Sequence, residues 1–399
     1  MHILIADKLP ENSLSTLQEG GHQVSIELTS GAALCAALAR LQPQVLIVRS
    51  TKVTRDMLKA ARALELIVRA GAGYDSIDVA AASERGIFVA NCPGKNASAV
   101  AELTIGLMVA MDRLIPDNVA EARRNRWQKA RFAKATGLRH RTLGIVGLGR
   151  IGSEVARVAL TMGMQVVAWS RSLTEARAQA LGVTRENTPL AVAALADIVT
   201  LHVAATPATR HLAGTDFFRA MKPGAFFINT TRGSIVDETA LRRAIEEKGI
   251  RAAVDVFEGE PSYKTGELNW ELARHDGIYL THHIGASTQQ AQEATASEAV
   301  RIIDCYARQG SVLNCVNVAV QTSATHLLTV RHLDRVGVLA AVFDVIRKSN
   351  LNVQEMENQI FIGEKAAVAR IRVTGEPTPN LCQAIRSADH VLAAEIIKL

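Results

Sequence analysis

The chain has 399 residues, 48% of them apolar, which is more than one hydrophobic core usually organises and enough to fill two or three. Forty-five basic residues against 39 acidic ones leave a net charge of +6, which fits an anionic ligand, while aromatics at 4% offer too few stacking platforms for single-stranded nucleic acid. The five cysteines, Cys35, Cys92, Cys305, Cys315 and Cys382, are scattered and never form a C-x-x-C pair, which argues against disulfides and zinc, and no apolar run reaches the roughly 18 residues of a membrane span. The expected setting is a reducing cytoplasm, with the cysteines as buried thiols, no bound metal, no membrane and no nucleic-acid partner.

In chain order, HILIA opens as a first strand ending at Asp7, without the basic region that would mark a leader. VLIVRS (45–50), LELIVRAG (64–71) and GIFVAN (86–91) follow, separated by helical stretches, and predict a parallel sheet covered on both faces. Residues 97–112 read as one long apolar helix suited to bridging two domains. From Thr142 a second alternation runs through TLGIVGLG, MQVVAWS, ADIVTLHV, AFFINTT, GIRAAVDVF and GIYLTHHIG, six strands of the doubly wound type. A helix rich in Ala and Gln then reaches about Arg308, and residues 310–324 read as a linker. The last stretch has the order strand (325–331), helix (336–348), strand (352–361), strand (365–373), helix (378–387), strand (391–398), which is the ferredoxin-like unit. The expected fold is α/β, with two doubly wound parallel-sheet domains and a small C-terminal ferredoxin-like one. Their expected limits are 1–98 with 287–318, 99–286, and 322–399.

The turn GLGRIG follows the strand TLGIV and opens a helix. Gly147 permits the tight turn, Gly149 lets backbone approach a pyrophosphate, Gly152 allows close helix-sheet packing, and the helix N-terminus offers amides to phosphate. A dinucleotide is therefore the expected cofactor. At the end of the next strand, where a carboxylate normally holds the ribose hydroxyls of NAD, stand Ser170 and Arg171. A hydroxyl followed by a guanidinium suits a 2'-phosphate, so NAD and NADP are both expected to be accepted. The plain alternative makes Arg171 a solvated surface residue.

Three further strand ends carry Arg232 (NTTRGSIVDE), Asp255 with Glu260 (AVDVFEGEP) and His283 (LTHHIGAS). Strand carboxyl ends are where a doubly wound sheet gathers its ligands. Oxidising a secondary alcohol requires a base for the hydroxyl proton as hydride leaves carbon; histidine suits neutral pH, and a neighbouring carboxylate stabilises its protonated form. An arginine can clamp a carboxylate in bidentate geometry. Singly, each has a plain alternative: a salt bridge for Arg232, a solvated turn for Glu260, a helix cap for His283.

Together with VRAGAGYDSID (68–78), ANCPGKNASAVAELTIGLM (90–108), LGIVGLGRIG (143–152), MKPGAFFINTTRGSIVDE (221–238), AAVDVFEGEP (252–261) and HIGAS (283–287), these segments resemble the D-2-hydroxy-acid dehydrogenase family along nearly the whole chain. The resemblance implies a triad of Arg232, Glu260 and His283. It also implies that the amides of Ala70, Gly71, Ala72 and Gly73 hold the substrate carboxylate, and that Asp255 meets the nicotinamide carboxamide. Arg150, Ile151, Thr231 and Ala286, which flank these motifs, are expected to line the cofactor along with Arg232 and His283. One departure is His282, where the family commonly has proline. Adjacent side chains in an extended loop point opposite ways, so one of the two histidines faces the cleft, and His283 is expected to be that one.

Within the family the chain most resembles the branch that oxidises 3-phosphoglycerate and opens serine synthesis, whose terminal unit is an amino-acid-binding ACT domain. VRHLDRVGVLAAVF and NLNV resemble its serine-sensing surface, with His332 and Asn352 matching, Asp334 replacing an asparagine and Val336 a proline. Asp334 reads equally as the N-cap of the following helix. The resemblance points to a small anionic substrate held by Arg49 and Arg69, to serine as effector and to a homodimer or homotetramer. The basic run RRNRWQKARFAK (123–134) reads as a solvated face. Two other readings are a hydroxypyruvate or glyoxylate reductase using the same triad, and a dinucleotide-sensing corepressor.

Overall fold

The computed structural model describes residues 1–261, 265–319 and 321–399, and these form two compact units, 1–317 and 318–399. In the first unit β1 (His2–Ile5), β2 (Gln23–Ile26), β3 (Val45–Val48), β4 (Leu66–Arg69) and β5 (Phe88–Asn91) make a parallel sheet in the order β2-β1-β3-β4-β5. Alternate residues feed cores on its two faces: Leu4, Leu46, Val48, Ile67 and Val89 on one, Ile3, Ile5, Val45, Ile47, Leu66 and Val68 on the other. Burial on both faces explains why these strands are continuous apolar runs. QVSI is the exception and was not expected as a strand. It is an edge with little to bury, so its side chains carry no apolar signal.

The second sheet holds β6 (Thr142–Val146), β7 (Gln165–Trp169), β8 (Thr184–Arg185), β9 (Ile198–Leu201), β10 (Phe226–Asn229), β11 (Arg251–Val254) and β12 (Ile278–Leu280), all parallel, in the order β12-β11-β10-β9-β6-β7-β8. There are seven strands where six were expected; the extra one, β8, is a two-residue backbone pairing at the edge. The order reverses between β6 and β9, which opens a crevice beyond their carboxyl ends. The long helix runs Ala97–Arg113 and contributes Ala101, Leu107, Met108 and Met111 to the core of this sheet.

The helix Gln289–Gln309 returns to the first sheet, placing Ala296, Ala299, Ile302 and Ile303 in its core. It also carries Glu298, which is buried and pairs with Lys95 (3.3 Å) and Arg301 (2.6 Å) while accepting from Asn314 Nδ2 (2.8 Å). The hydrogen bond from Arg301, then those from Asn314 and Lys95, lower the Glu298 pKa to about 2 against the opposing effect of burial. A carboxylate depressed on folding stabilises the native state above its unfolded pKa of roughly 4.3, and that contribution fades as pH falls towards the folded value. Glu298→Gln is expected to lower Tm at pH 7, with the gap to the parent closing between about pH 5 and 2. Thermal melts across that range check it; a gap independent of pH would overturn the assignment.

The expected linker is partly docked. Val316 N donates to Val89 O and Val89 N donates to Asn317 Oδ1, so residues 315–317 lie against β5. One backbone bond and the amide side chain of Asn317 make this docking, and neither leaves an apolar period, which is why the segment read as loop; Val320, also within it, lies outside the described residues.

The second unit pairs β13 (His326–Leu333), β14 (Asn352–Ile360), β15 (Ala366–Thr374) and β16 (Val391–Lys398) antiparallel in the order β14-β15-β13-β16, with helices Val338–Lys348 and Leu381–Arg386. This is the ferredoxin-like arrangement. The first helix begins two residues later than expected and is capped by Gly337, so Asp334 is not its N-cap; its amide instead donates to Lys365 O (3.1 Å). Of the cysteines only Cys92 is buried; the other four are partly exposed. Among the described residues no helix is long and apolar enough to cross a membrane.

Candidate active site

The glycine turn lies at the reversal of the second sheet. Gly147 has φ +104° and donates to Trp169 O (2.7 Å); a Cβ there would stand 2.6 Å from the His202 backbone. A Cβ on Gly152 would stand 2.2 Å from Gly147 O, so both positions are closed to side chains by the protein itself. Gly149 differs: a Cβ there would meet nothing within 4 Å. Its space is open, and the amides of Leu148 and Gly149 have no partner among the described residues. With the unpaired first turn of the helix Arg150–Thr161 they form a cradle that fits the pyrophosphate of a dinucleotide.

Arg150, expected at the cofactor, reaches to the carbonyl of Pro93 and fills the space over Gly94, while Ile151 packs into the core behind the turn. At the adenosine end Ser170 is half-buried, and Arg171 is exposed with no ion pair among the described residues. Arg177 reaches the same turn, donating to Leu148 O (3.4 Å), and had no motif to mark it.

The ends of β10, β11 and β12 carry the expected triad. His283 Nδ1 lies 2.7 Å from Glu260 Oε2, and the two side chains are 50% and 29% exposed, open enough to meet a ligand. A carboxylate has no hydrogen to give, so Nδ1 carries it and Nε2 keeps a lone pair. His282 is exposed and has no such partner among the described residues. The helix-cap alternative for His283 is excluded, since Thr288 caps the helix that follows.

His283 has φ +52°, a left-handed conformation that costs a non-glycine residue energy, and the surroundings enforce it. Its amide donates to Asp255 O (2.9 Å), and the buried Asp255 carboxylate accepts from Thr281 Oγ1 (2.6 Å), Ile284 N (2.8 Å) and Gly285 N (2.8 Å). Three of about four acceptor positions are thereby used, so Asp255 is first the organiser of the His283 turn, with one lone pair left for a ligand. Glu260 is steadied by Phe257 N on Oε1 (3.2 Å). Its loop is tied down by Glu238, which accepts from Glu258 N (2.7 Å) and Trp270 Nε1 (2.8 Å).

Arg232 is placed by Asn229, buried at the end of β10, whose Oδ1 accepts from Thr231 N (3.0 Å) and Thr231 Oγ1 (2.6 Å) and whose Nδ2 donates to Arg232 O (3.0 Å). Gly233 allows this loop to press on the next, since a Cβ there would lie 2.1 Å from Phe257 C. The guanidinium crosses to the first sheet and pairs with Asp75 (3.0 Å). Burial alone would raise the Asp75 pKa, but the hydrogen bonds and charge of Arg232 outweigh it and hold the carboxyl below its usual value.

Of the four amides expected to hold a carboxylate, two are committed: Ala70 N donates to Val48 O (2.7 Å) and Gly71 N to Arg69 O (2.8 Å). The loop folds back on β3 before it reaches the cleft, so only Ala72 and Gly73 offer amides without a partner among the described residues.

Arg49, Arg69, Ala70 and Gly71 line one pocket with Ala286, Asn96 and Gln292, and with Lys8, a residue the sequence did not single out. The pocket lies where the first sheet reverses, beyond β1 and β3. Asp7 holds the chain after β3, and with it Arg49, by accepting from the amides of Arg49, Ser50 and Thr51. Arg69 Nε is buried without a partner, and burial together with the charge of Arg232 lowers the Arg69 pKa to about 10.

The expected regulatory residues do not converge. His332 is buried, bonded to Leu333 O (2.8 Å) and Asn358 Oδ1 (3.2 Å), and pairs across β15 at Ala367, whereas Asn352 pairs at Thr374. Seven residues of strand, roughly 23 Å, separate the two levels, so one chain cannot hold one small effector with His332, Asp334 and Asn352 together. Strand register, invisible in a motif match, sets them apart. The basic run is exposed as expected, and Arg124 and Arg126 are paired with Glu121. No group of three potential metal ligands occurs among the described residues.

Residues 105–285 match the NAD binding domain of the D-isomer specific 2-hydroxyacid dehydrogenases. A hydroxypyruvate reductase of Thermotoga maritima is 39% identical over 282 residues, 70% of this chain and 90% of that protein. The chain belongs to the D-isomer specific 2-hydroxyacid dehydrogenase family. D-3-phosphoglycerate dehydrogenase of Methanocaldococcus jannaschii is 40% identical over 319 residues, 79% of this chain and 59% of that protein. The match thus spans only about three fifths of that relative's length. Among solved structures, the NADPH-dependent glyoxylate/hydroxypyruvate reductase of Sinorhizobium meliloti in complex with NADP and malonate matches with a TM-score of 0.69 at 30% identity, covering 79% of this chain and 96% of that one.

Proposed function

We propose that this member of the family oxidises 3-phosphoglycerate to 3-phosphohydroxypyruvate with a nicotinamide cofactor, the first step of serine biosynthesis. The observation that carries the choice of substrate is the pocket with Lys8, Arg49 and Arg69, none ion-paired among the described residues, the half-buried Arg69 with a buried, bare Nε. A carboxylate alone needs one cation. Three unpaired cations beside the Arg232 loop call for a second, multiply charged anionic group, as a phosphate is.

When bound, the nicotinamide supplies the hydride acceptor. His283 Nε2 takes the proton from the substrate hydroxyl, and Glu260 holds Nδ1–H and stabilises the imidazolium. Arg232 and the amides of Ala72 and Gly73 hold the carboxylate and polarise the adjoining carbonyl. The substrate lobe is placed at 1–98 with 287–318, the dinucleotide lobe at 99–286 and a module resembling an ACT domain at 322–399. A homodimer or homotetramer in the cytoplasm is proposed; a monomer by light scattering would remove the first part.

The deciding assay compares 3-phosphohydroxypyruvate with hydroxypyruvate and glyoxylate. The phosphorylated substrate is expected to have the highest kcat/KM. Arg69→Met is expected to cut that value by about 30-fold or more, the equivalent of about 2 kcal/mol for a truncated charge pair, while sparing glyoxylate. A preference for glyoxylate unchanged by Arg69→Met would replace the reading with a glyoxylate or hydroxypyruvate reductase, which the acid-free Ser170-Arg171 end also suits.

The same end leads us to propose that NADP is accepted alongside NAD. Arg171→Ala is expected to raise KM for NADPH and leave NADH unchanged or improved. NADPH kinetics that do not move would return Arg171 to a solvated surface residue.

A further inference from the structure

The Arg232 guanidinium reaches from its own sheet to the loop that follows β4. Nε donates to Asp75 Oδ1 (3.2 Å) and Oδ2 (3.1 Å), Nη2 to Asp75 Oδ1 (3.0 Å), and Nη1 to Thr231 O (2.7 Å). Of the five N–H donors of a guanidinium, three are thereby occupied, leaving one on each terminal nitrogen. Gly73 completes the seat: a Cβ there would lie 2.0 Å from Arg232 Nη2 and 3.0 Å from Asp75 Oδ1. The ion pair thus joins the loop after β4 to the loop after β10, and it forms against the repulsion between Arg232 and the neighbouring Arg69.

We propose that Asp75 is a positioning residue: it holds the Nε edge of Arg232 against Gly73, so that the two remaining N–H groups face the substrate carboxylate. This rests on the reading of Arg232 as the carboxylate clamp. A long arginine side chain released from Asp75 gains rotamer freedom and is pushed away by Arg69, so substrate binding must then supply the ordering that Asp75 supplies in advance. Asp75 acts through Arg232 and touches no reacting atom. Its removal therefore weakens capture of the oxo acid more than it slows the chemical step.

The test is made on the full chain with NADH and oxamate, a non-reacting mimic of a 2-oxo acid, together with steady-state kinetics on the best oxo acid. Asp75→Ala is expected to weaken oxamate binding and raise KM by about tenfold or more, with kcat changed by less and with NADH binding and Tm unchanged. Asp75→Asn, which keeps one acceptor, is expected to recover part of the loss. Gly73→Ala is expected to give the same phenotype by displacing the guanidinium. In an Arg232→Ala background the further change Asp75→Ala is expected to add nothing, because the two act as one unit.

If Arg232→Ala weakens oxamate binding and Asp75→Ala does not, or if Asp75→Ala tightens it, the positioning role is wrong, the second result making Asp75 a competitor of the substrate carboxylate. If Arg232→Ala itself binds oxamate as the parent does, the clamp reading fails and takes this proposal with it.

Discussion

His283→Asn is expected to remove turnover by roughly 10²–10⁴-fold, the range for losing a positioned general base, while leaving cofactor binding and Tm close to the parent values. Asparagine fills a similar volume but has no nitrogen lone pair to accept the hydroxyl proton. Glu260→Gln is expected to act in the same direction. It removes the charge that stabilises the imidazolium, and its amide can turn an N–H towards Nδ1, which would favour the tautomer with the hydrogen on the wrong nitrogen. The two losses are expected to be far from additive, because Glu260 works only through the ring 2.7 Å away. His282→Ala is the control and is expected to retain parental kcat, since His282 is exposed and has no carboxylate partner among the described residues. Rapid-mix kinetics of the parent, the three single variants and the His283→Asn, Glu260→Gln double variant with one oxo acid check this. A dead His282→Ala beside an active His283→Asn would exchange the two assignments.

Much of this site was legible because each part lies in a segment whose backbone demands are written in residue types. TRG, EGEP and HIG follow apolar runs that can only be buried parallel strands, and parallel strands bring their carboxyl ends together. What could not be read was whatever depends on which strand lies beside which. QVSI, an edge strand with nothing to bury, left no periodic trace. Without it the reversal of the first sheet between β1 and β3 is invisible, and so is the reason Lys8 and Arg49, forty-one positions apart, line one pocket. That His332 and Asn352 lie far apart within one chain was hidden for the related reason that a motif match carries no register.

Side chains that serve other side chains were also hidden. Asn229, Glu238 and Asp75 are ordinary polar residues in sequence, and only the fold shows that they hold Arg232 and the Glu260 loop in place. Asp255 was noticed, but for a ligand contact, while most of its acceptor capacity fixes the strained turn at His283. The committed amides of Ala70 and Gly71 make the same point: a sequence lists donors, and the fold decides which remain unpaired.

The glycine turn separates what the protein needs from what the ligand needs, and two substitutions are expected to part them. Gly152→Val puts a side chain where a single Cβ already lies 2.2 Å from Gly147 O. Backbone cannot swing aside as a side-chain tip can, so Tm is expected to fall by several degrees, corresponding to about 1–3 kcal/mol of overpacking, and the cofactor site is expected to go with it. Gly149→Val meets nothing within 4 Å and sits at φ −83°, so the apo protein is expected to melt as the parent does. Only a pyrophosphate brought to the amides of Leu148 and Gly149 would collide with the new side chain. A parent held at a cofactor concentration of about 100 Kd gains about 2.7 kcal/mol; a variant binding about 100-fold more weakly keeps only about 0.4 kcal/mol of that, so the cofactor-induced rise in Tm is expected nearly to vanish in Gly149→Val. Paired melts with and without NADH measure both quantities at once. A parental cofactor shift in Gly149→Val would mean that the pyrophosphate does not cross the open side of this turn, and the cradle would have to be sought elsewhere along the crevice between β6 and β9.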